Sequence, residues 1–327
     1  MLKNIVFILF LSFSVPSLAQ VGRSFWFVVP GLMHDHGVNP ILFRITAFDK
    51  PANVTISMPA NPAFNPYSLF IGANKQVNYN LNTSVSENIP AAKVNNKGYL
   101  ITSDQDVSIY YDVADSYNPD KFILKGNSAL GTKFYIPSQN HFPISPDHKS
   151  ASEKVDIVAT EDNTMVSFTP PVAVVGHAAL KPVVVTLNRG QTYCIENRDP
   201  SANSSMAGML VTSTKEVAIT ISDDSVLDYW PHDLIGDQLI PVSMLGMEYI
   251  AMRTNNDKGS KHKVYLVGTQ DGTTIIINND PKNSYVINAG EQKMFDVTGS
   301  SIYIKSSSPI YAYQLTGVVN NNGNEFG

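Results

Sequence analysis

Two short segments of this 327-residue sequence hold the densest groups of side chains that could bind a metal. The first is His34-Asp35-His36, where imidazoles two residues apart would share one face of a strand and could bind one ion. Gly31 and Gly37 bound this run and indicate a solvated loop, so we assign no metal to it.

The second segment is acidic and lies between residues 223 and 237. Oxygen-rich loops of this kind can hold calcium in extracellular β proteins, although no EF-hand pattern is present. The alternative is a solvated loop whose aspartates cap turns. No other cofactor is expected, and the candidate calcium ligands are Asp223, Asp224, Asp228 and Asp237.

Patterns that indicate catalysis are missing from the sequence. The glutamates are scattered beside turns and strand ends, and neither a G-x-S-x-G motif nor a phosphate-binding glycine loop occurs. The single cysteine, Cys194, lies in an alternating apolar run without a neighbouring histidine, which indicates a buried small side chain. The sequence therefore predicts that the protein is not an enzyme.

Aromatic side chains in two long connections give a stronger indication of function. Tyr and Trp are favoured at recognition surfaces because they bury a large area at low entropic cost. Packing between modules is the alternative role for these residues. The candidate ligand contacts are Tyr117, in the connection 112–127, and Tyr229 and Trp230, in the connection 223–241.

The N-terminus reads as a secretory signal peptide over residues 1–19. Lys3 supplies the positive charge, an apolar run follows, and Ser17-Leu18-Ala19 provides small residues for cleavage. A retained anchor is the alternative, but the run is shorter than the roughly 20 residues that span a bilayer. We expect a secreted or cell-surface protein with no transmembrane segment after cleavage. A net charge of −5 without a basic cluster argues against nucleic acid as a partner.

An apolar period of two predicts an all-β fold for the rest of the chain. The strands expected first are Phe25–Pro30, Ile41–Phe48, Asn53–Met58, Gln76–Leu81, Gly98–Thr102 and Val107–Val113.

The last two of these segments recur twice more along the chain. GYLITSDQDVSIYYDV from Gly98 aligns without gaps with GMLVTSTKEVAITISD from Gly208 and SIYIKSSSPIYAYQLT from Ser301. We predict a hairpin in each copy, with turns near Asp104, Thr214 and Ser307. The aliphatic residues that follow each turn should point into a core, because a strand with one buried face keeps its apolar residues two apart.

A second repeated pair starts at Lys154 and Lys263, with Asp162-Asn163 and Asp271-Gly272 as expected hairpin turns. The repeat of about 100–110 residues predicts three tandem, closely packed β-sandwich-like modules over 20–127, 128–242 and 243–327. The segment 320–327 reads as a loop with no closing strand, which leaves two alternatives: the third module is truncated, or the surface attachment lies elsewhere. A single body with internal threefold pseudosymmetry is the alternative.

Several of these segments together resemble the N-terminal domain family of the IgGFc-binding protein, including its secreted bacterial members. The resemblance covers roughly 200 residues and is carried by GTKFYIPS at Gly131, VATEDNT at Val158, LNRGQTY at Leu187, LVTSTKEVAI at Leu210, GDQLIP at Gly236 and GMEY at Gly246. It implies an extracellular binding or adhesion role toward a glycoprotein, without identifying Fc as the ligand and without adding catalytic or binding residues.

We therefore expect a secreted or cell-surface binding or adhesion protein that recognises a macromolecule such as a glycoprotein or glycan. The alternatives are a carbohydrate-active enzyme and a structural spacer of a larger surface protein.

Overall fold

The computed structural model describes residues 20–33, 40–114, 119–145, 147–148, 150–227, 232–253 and 261–318. Regular structure in this part of the chain is almost entirely β-strand, which confirms the all-β prediction. One helical turn, Thr83–Ser86, and two 3-10 turns, Gly126–Ala129 and Val242–Met244, are the helical elements of the described residues.

The strands follow one another in three comparable sets. The first set is β1 Gly22–Val28, β2 Ile41–Ala47, β3 Ala52–Ser57, β4 Tyr67–Ile71, β5 Gln76–Asn80, β6 Val94–Asn95, β7 Gly98–Val113 and β8 Asp120–Ile123. The second is β9 Gly131–Tyr135, β10 Glu153–Ala159, β11 Thr164–Phe168, β12 Val183–Leu187, β13 Thr192–Asn197, β14 Leu210–Leu227 and β15 His232–Gln238. The third is β16 Glu248–Met252, β17 Lys261–Gly268, β18 Thr273–Ile277, β19 Ser284–Ile287, β20 Gln292–Asp296, β21 Ser301–Ser306 and β22 Ile310–Val318.

One long strand organises the first set and another organises the second. The first half of β7 pairs with β1 and β3, and its second half pairs with β2 and β8. In the same way β14 pairs with β9 and β11 and then with β10 and β15. In the third set two strands correspond to the one long strand. β21 corresponds to its first half and lies between β16 and β18, and β22 corresponds to its second half and pairs with β17. Below, the first repeat is β1–β5, β7 and β8, the second is β9–β15, and the third is β16–β22.

The predicted hairpins near Asp104 and Thr214 are wrong, because β7 and β14 run through these positions without a turn. Residues 102–106 are exposed or half-buried, and they lie where β7 changes from pairing with β3 to pairing with β2. An exposed stretch of strand carries polar residues, as a turn does, so the two give the same sequence pattern. In the third copy a break does occur before Pro309, which lacks the N–H that a continuous strand needs, but β21 and β22 lie in different sheets.

The second predicted pair is also not a hairpin. Asn163 and Gly272 have φ values of 54° and 69°, so the expected turn chemistry is present. However, β10 does not pair with β11, nor β17 with β18. Instead, β10 and β11 pair with different halves of β14, and β17 and β18 lie in different sheets.

The burial predicted for the repeated strands is confirmed. Val107, Ile109, Val217, Ile219 and Ile310 are each fully buried. Three large apolar clusters correspond to the three repeats, yet Leu234 from β15 belongs to the first cluster, and β6 pairs with β13 of the second repeat. Because neighbouring repeats share strands and core residues, the boundaries at 127/128 and 242/243 stay a prediction.

Neighbouring repeats touch through pairs of glycines. The backbone N–H of Gly98 donates to the carbonyl of Gly190 at 3.1 Å. At the next junction a Cβ atom placed on Gly208 would lie 1.8 Å from the carbonyl oxygen of Gly290. Only a residue without a side chain allows two backbones to approach this closely.

Candidate functional site: the junction cavity

A cavity of about 370 Å³ opens where strands from all three repeats meet. β8 with the following Lys125 forms one wall, β15 forms the second, and residues 311–315 of β22 form the third. Leu239, Ile240, Leu245 and Tyr249 complete the lining. We call this space the junction cavity, and its volume lies in the lower range of ligand pockets.

The junction cavity lies beside β22, an edge strand whose strand partner within the described ranges is β17. In the first repeat the corresponding edge of β7, residues 110–113, pairs with β8. In the second repeat residues 220–223 of β14 pair with β15. The aligned residues of β22 are 313–316, and most of these line the cavity.

A half-buried ion pair fixes one side of the junction cavity. Lys125 Nζ lies 2.6 Å from Asp237 Oδ2, and the two side chains are 15% and 36% exposed. Burial lowers the pKa of Lys125 and raises the pKa of Asp237, while their mutual attraction opposes both shifts. The charges of the pair cancel, so it places polar atoms in the cavity without giving it a net charge.

Gln238 holds this ion pair in position. Its Oε1 accepts a hydrogen bond from the backbone N–H of Lys125 at 2.7 Å, and its Nε2 donates to the carbonyl of Trp26 at 2.7 Å. Lys125 Nζ also donates to the carbonyl of Gln238. The wall formed by β15 is therefore tied both to the segment that follows β8 and to β1.

Asp120 adds a carboxyl group whose charged form is disfavoured. Burial, first of all, and then the nearby Asp237 raise the pKa of Asp120 well above its ordinary value. The backbone N–H of Lys121 donates to Asp120 at 2.7 Å and opposes this shift in part. A carboxyl group in this setting can donate as well as accept a hydrogen bond when it is protonated.

Tyrosines form the aromatic part of the lining, and the hydroxyls of two of them are already engaged. The Tyr249 hydroxyl donates to the carbonyl of Ile310 at 2.7 Å and accepts from the backbone N–H of Gly246 at 2.8 Å. The Tyr311 hydroxyl accepts from the backbone N–H of Ile240 at 3.3 Å. Burial raises the pKa of Tyr249, Tyr311 and Tyr313, so all three remain protonated at neutral pH. Such residues offer fixed rings for binding instead of a phenolate for catalysis.

Of the predicted calcium ligands, the structure places Asp237 in the junction cavity and the other described ones elsewhere. Asp223 Oδ2 accepts from Gln139 Nε2 at 2.7 Å, and Asp224 Oδ2 accepts from the backbone N–H of Met33 at 2.7 Å. Within the described ranges, no group of three or more His, Cys, Asp or Glu side chains is arranged to hold a metal ion. Asp228 lies outside these ranges, so the calcium site stays a prediction.

The other predicted site residues also lie outside the described part of the chain. These are the ligand candidates Tyr117, Tyr229 and Trp230, together with His34-Asp35-His36. Sequence reasoning missed Asp120, Lys125, Tyr311 and Tyr313, which come from strands distant in sequence. The only sequence signal for them is the aromatic alternation in the segment YAYQL at 311–315.

A cluster of buried polar side chains lies between the first and second repeats. Its members come from β10, from β13 and from the segment before β6. Asn88 Nδ2 donates to Asp156 Oδ1 at 2.7 Å, and Asn88 Oδ1 accepts from Thr192 Oγ1 at 2.7 Å. Lys154 Nζ donates to Ser152 Oγ at 2.6 Å and lies 3.8 Å from Glu196 Oε1. Burial raises the pKa of the neighbouring Cys194 thiol well above its ordinary value, so this cysteine is an inert buried residue, as predicted.

Asp156 makes the stability of this junction depend on pH. Burial raises the pKa of Asp156 from 3.8 to about 7 in the folded protein, although its hydrogen bond from Asn88 opposes the shift. The folded state therefore binds this proton more tightly than the unfolded state. The resulting stabilisation is complete below about pH 4 and is lost as the pH rises through about 7.

We expect Asp156→Asn to raise the melting temperature at pH 8 and to change it little at pH 4. Asparagine keeps the oxygen that accepts from Asn88 and cannot ionise. Thermal melting of both proteins at both pH values measures the effect. A variant that is less stable than the parent at pH 8 would contradict this account of Asp156.

The family comparison matches residues 120–326 to the family described as IgGFc binding protein. The chain belongs to the IgGFc binding protein family. The region shared with this family begins at Asp120, the first residue of β8, and continues through the second and third repeats. Every residue that lines the junction cavity therefore lies inside the part of the chain that defines membership of the IgGFc binding protein family. A search of curated proteins found no match. None of the described helices is long and apolar enough to cross a membrane.

Proposed function

We propose that this protein is a secreted or cell-surface binding protein that recognises an extracellular glycoprotein or glycan in the junction cavity. The observation that carries the proposal is that the whole lining of this cavity lies within the region matched by the IgGFc binding protein family. The predicted signal peptide over residues 1–19 supports the extracellular location. The name of the family makes the Fc part of an antibody one ligand to test.

The chemistry of the cavity supports binding more than catalysis. Its two carboxyl groups, on Asp120 and Asp237, have different partners, and Asp237 is held by Lys125. A carboxylate bound to a lysine is a poor general base. Fixed tyrosine rings, apolar side chains and a few polar groups of low net charge are features of a recognition site.

Leu245→Arg should abolish binding to the partner of this protein, because it places a long charged side chain in the cavity. Met244→Arg is the matched control, since Met244 is next in the chain, is 48% exposed and does not line the cavity. Both variants and the parent protein are applied to an array of glycans, glycoproteins and antibody Fc. We expect at least a tenfold loss of affinity for Leu245→Arg and parental affinity for Met244→Arg.

Three other results on the same array would overturn the proposal. Equal binding by both variants would place the recognition site elsewhere. Absence of binding to every glycan and protein would favour the structural spacer. Release of shortened sugars from a bound polysaccharide, with a steady turnover that Leu245→Arg abolishes, would establish the carbohydrate-active enzyme instead.

A further inference from the structure

We propose that Lys125 and Asp237 become joined by an isopeptide bond between Lys125 Nζ and Asp237 Cγ, with the loss of one water molecule. This bond ties the segment that follows β8 to β15, and so links the first repeat covalently to the end of the second. The modification goes beyond the proposed binding function and needs no partner, because both reacting groups belong to this chain.

The two reacting groups are already held against each other. Lys125 Nζ lies 2.6 Å from Asp237 Oδ2. The same Nζ donates a hydrogen bond to the carbonyl of Gln238, which fixes the direction of the amine. Groups positioned in this way can react as if each were present at about 10⁵–10⁸ M. Water is far less concentrated, so amide formation in the folded protein competes successfully with hydrolysis.

Amide formation requires the neutral amine and the neutral carboxyl group, since an ammonium ion has no free electron pair. Burial lowers the pKa of Lys125 and raises the pKa of Asp237, and their mutual attraction opposes both shifts. Burial therefore brings the neutral pair closer in free energy to the ion pair. The uncharged amide also removes the desolvation cost that two charges carry in a half-buried position.

Backbone N–H groups polarise the carboxyl group that is attacked. Asp237 Oδ1 accepts from the backbone N–H of Gln238 at 2.7 Å, and the backbone N–H of Ile123 donates to the same carboxyl group. Donors in such positions stabilise the negative oxygen of a tetrahedral intermediate. Oδ1 therefore becomes the amide oxygen, and Oδ2, which faces Lys125 Nζ, is the oxygen that leaves.

Asp120 supplies the acid that the leaving oxygen needs. It lines the same cavity, and the backbone N–H of Gly236, the residue before Asp237, donates to its carboxyl group. Burial, and then the charge of the nearby Asp237, raise the pKa of Asp120 well above its ordinary value, which favours the protonated form. A protonated carboxyl group next to a leaving oxygen can act as a general acid.

The reaction balances without a co-reactant. A proton passes from Lys125 Nζ to Asp237 Oδ2. The freed electron pair of Nζ attacks Cγ, and the electrons of the C=O bond move to Oδ1. Asp120 gives its proton to Oδ2, which leaves with the electrons of the broken C–O bond as water. The C=O bond then re-forms, and one of the two protons left on Nζ restores Asp120.

A second lysine–aspartate contact provides a control within the same chain. Lys263 Nζ lies 2.7 Å from Asp296 Oδ1, but the side chain of Asp296 is 58% exposed. Water solvates an exposed carboxylate well, which favours the ion pair over the amide. We therefore expect no bond between Lys263 and Asp296, although the contact distance is similar.

Mass spectrometry of the purified full chain tests the proposal directly. The intact protein should weigh about 18 Da less than its sequence and N-terminus require, because one water has left. Digestion with trypsin should release a branched peptide that joins residues 122–133 to residues 216–253. This peptide contains an uncleaved Lys125, since trypsin does not cut after a lysine whose Nζ is an amide.

Four variants assign the roles of the residues. Lys125→Arg and Asp237→Ala should show neither the mass loss nor the branched peptide. Asp296→Ala is the matched control and should show both. Asp120→Asn should be isolated mostly without the bond, because an amide side chain is no proton donor of comparable acidity.

The parent protein alone decides the main point, so a variant that fails to fold leaves the test intact. A parent of full calculated mass that yields no branched peptide would overturn the proposal. A bond between Lys263 and Asp296 as well would show that contact distance is sufficient, and the argument from burial would be wrong. Complete bonding in Asp120→Asn would remove Asp120 from the reaction.

Discussion

Gly208→Ala should destabilise the junction between the second and third repeats by about 3–5 kcal/mol, because it combines backbone strain with a direct steric clash. Gly208 has a φ of 76°, which an alanine adopts only with strain. Its new Cβ atom would also lie 1.8 Å from the carbonyl oxygen of Gly290, so one of the two backbones must move. Calorimetric melting should show a transition lowered by about 10 °C.

Gly272→Ala is the control that separates the two causes. Gly272 has a φ of 69°, similar to that of Gly208, but nothing lies within 4 Å of the position of its Cβ atom. Strain alone should therefore cost about 1–2 kcal/mol at Gly272. If the two variants lose the same stability, the contact between Gly208 and Gly290 contributes nothing.

A comparison of the aligned residues in the three repeats supports the importance of the glycine contacts. Gly98 and Gly190 make the corresponding contact between the first and second repeats. The aligned residue in the third repeat is Ser301, and the residue aligned with Gly190 in the first repeat is Asn74, with a φ of 56°. Neither of these two residues lies at a junction between repeats, and both carry side chains. Glycine is thus used where two backbones meet and not merely where the chain turns.

Ile219→Asp is expected to prevent folding of the second repeat or to reduce its stability by about 4 kcal/mol or more. Ile219 is fully buried in the core of the second repeat and lies opposite Ile157 on β10. An aspartate there would bury a carboxylate without an ion-pair partner, in addition to removing the apolar contacts of isoleucine. The measurement is soluble yield followed by denaturant unfolding.

Thr214→Asp is the matched control for this substitution. Thr214 lies on the same strand, is exposed, and accepts a hydrogen bond from the backbone N–H of Met165 through its hydroxyl, which a carboxylate can also accept. We expect a change within about 0.5 kcal/mol, as is usual for surface positions. A large loss in this control would mean that a new negative charge is costly even at an exposed position of this strand, and the burial of Ile219 would then not explain the effect of Ile219→Asp.

The alternation of apolar residues was sufficient to predict β1, β2, β3 and β5 and the buried faces of the repeated strands, but not β4 or β8, nor which strands pair. Val217 and Ile219 point inward whether Gly208 begins a hairpin or one long strand, because a period of two specifies a face and says nothing about the neighbour. The polar residues around Asp104 and Thr214 are compatible with both a turn and an exposed stretch of strand. Whether a turn or a continuous strand forms depends on how the strands pair in the tertiary structure, and a local sequence pattern does not specify that pairing.

The candidate site was less predictable than the fold for a related reason. Asp120 and Tyr313 belong to strands almost 200 residues apart, and nothing in either segment indicates that they line one cavity. Asp237 was found because it lies in an acidic segment, yet the structure pairs it with Lys125 instead of with Asp223 or Asp224. Sequence proximity suggested a shared ion, whereas alternation along β14 separates the side chains of these two aspartates.

The continuity of β7 and β14 has a consequence for local opening, because each of these strands joins its neighbours on both halves into one sheet. Amide hydrogens of the first repeat, and likewise of the second, should exchange with solvent in one cooperative unit, because neither half of the sheet can separate without breaking the long strand that both halves share. In the third repeat β21 and β22 are separate strands interrupted at Pro309. Its two sheets can therefore open one at a time, so the amides of the sheet that contains β22 can exchange while those of the sheet that contains β21 stay protected.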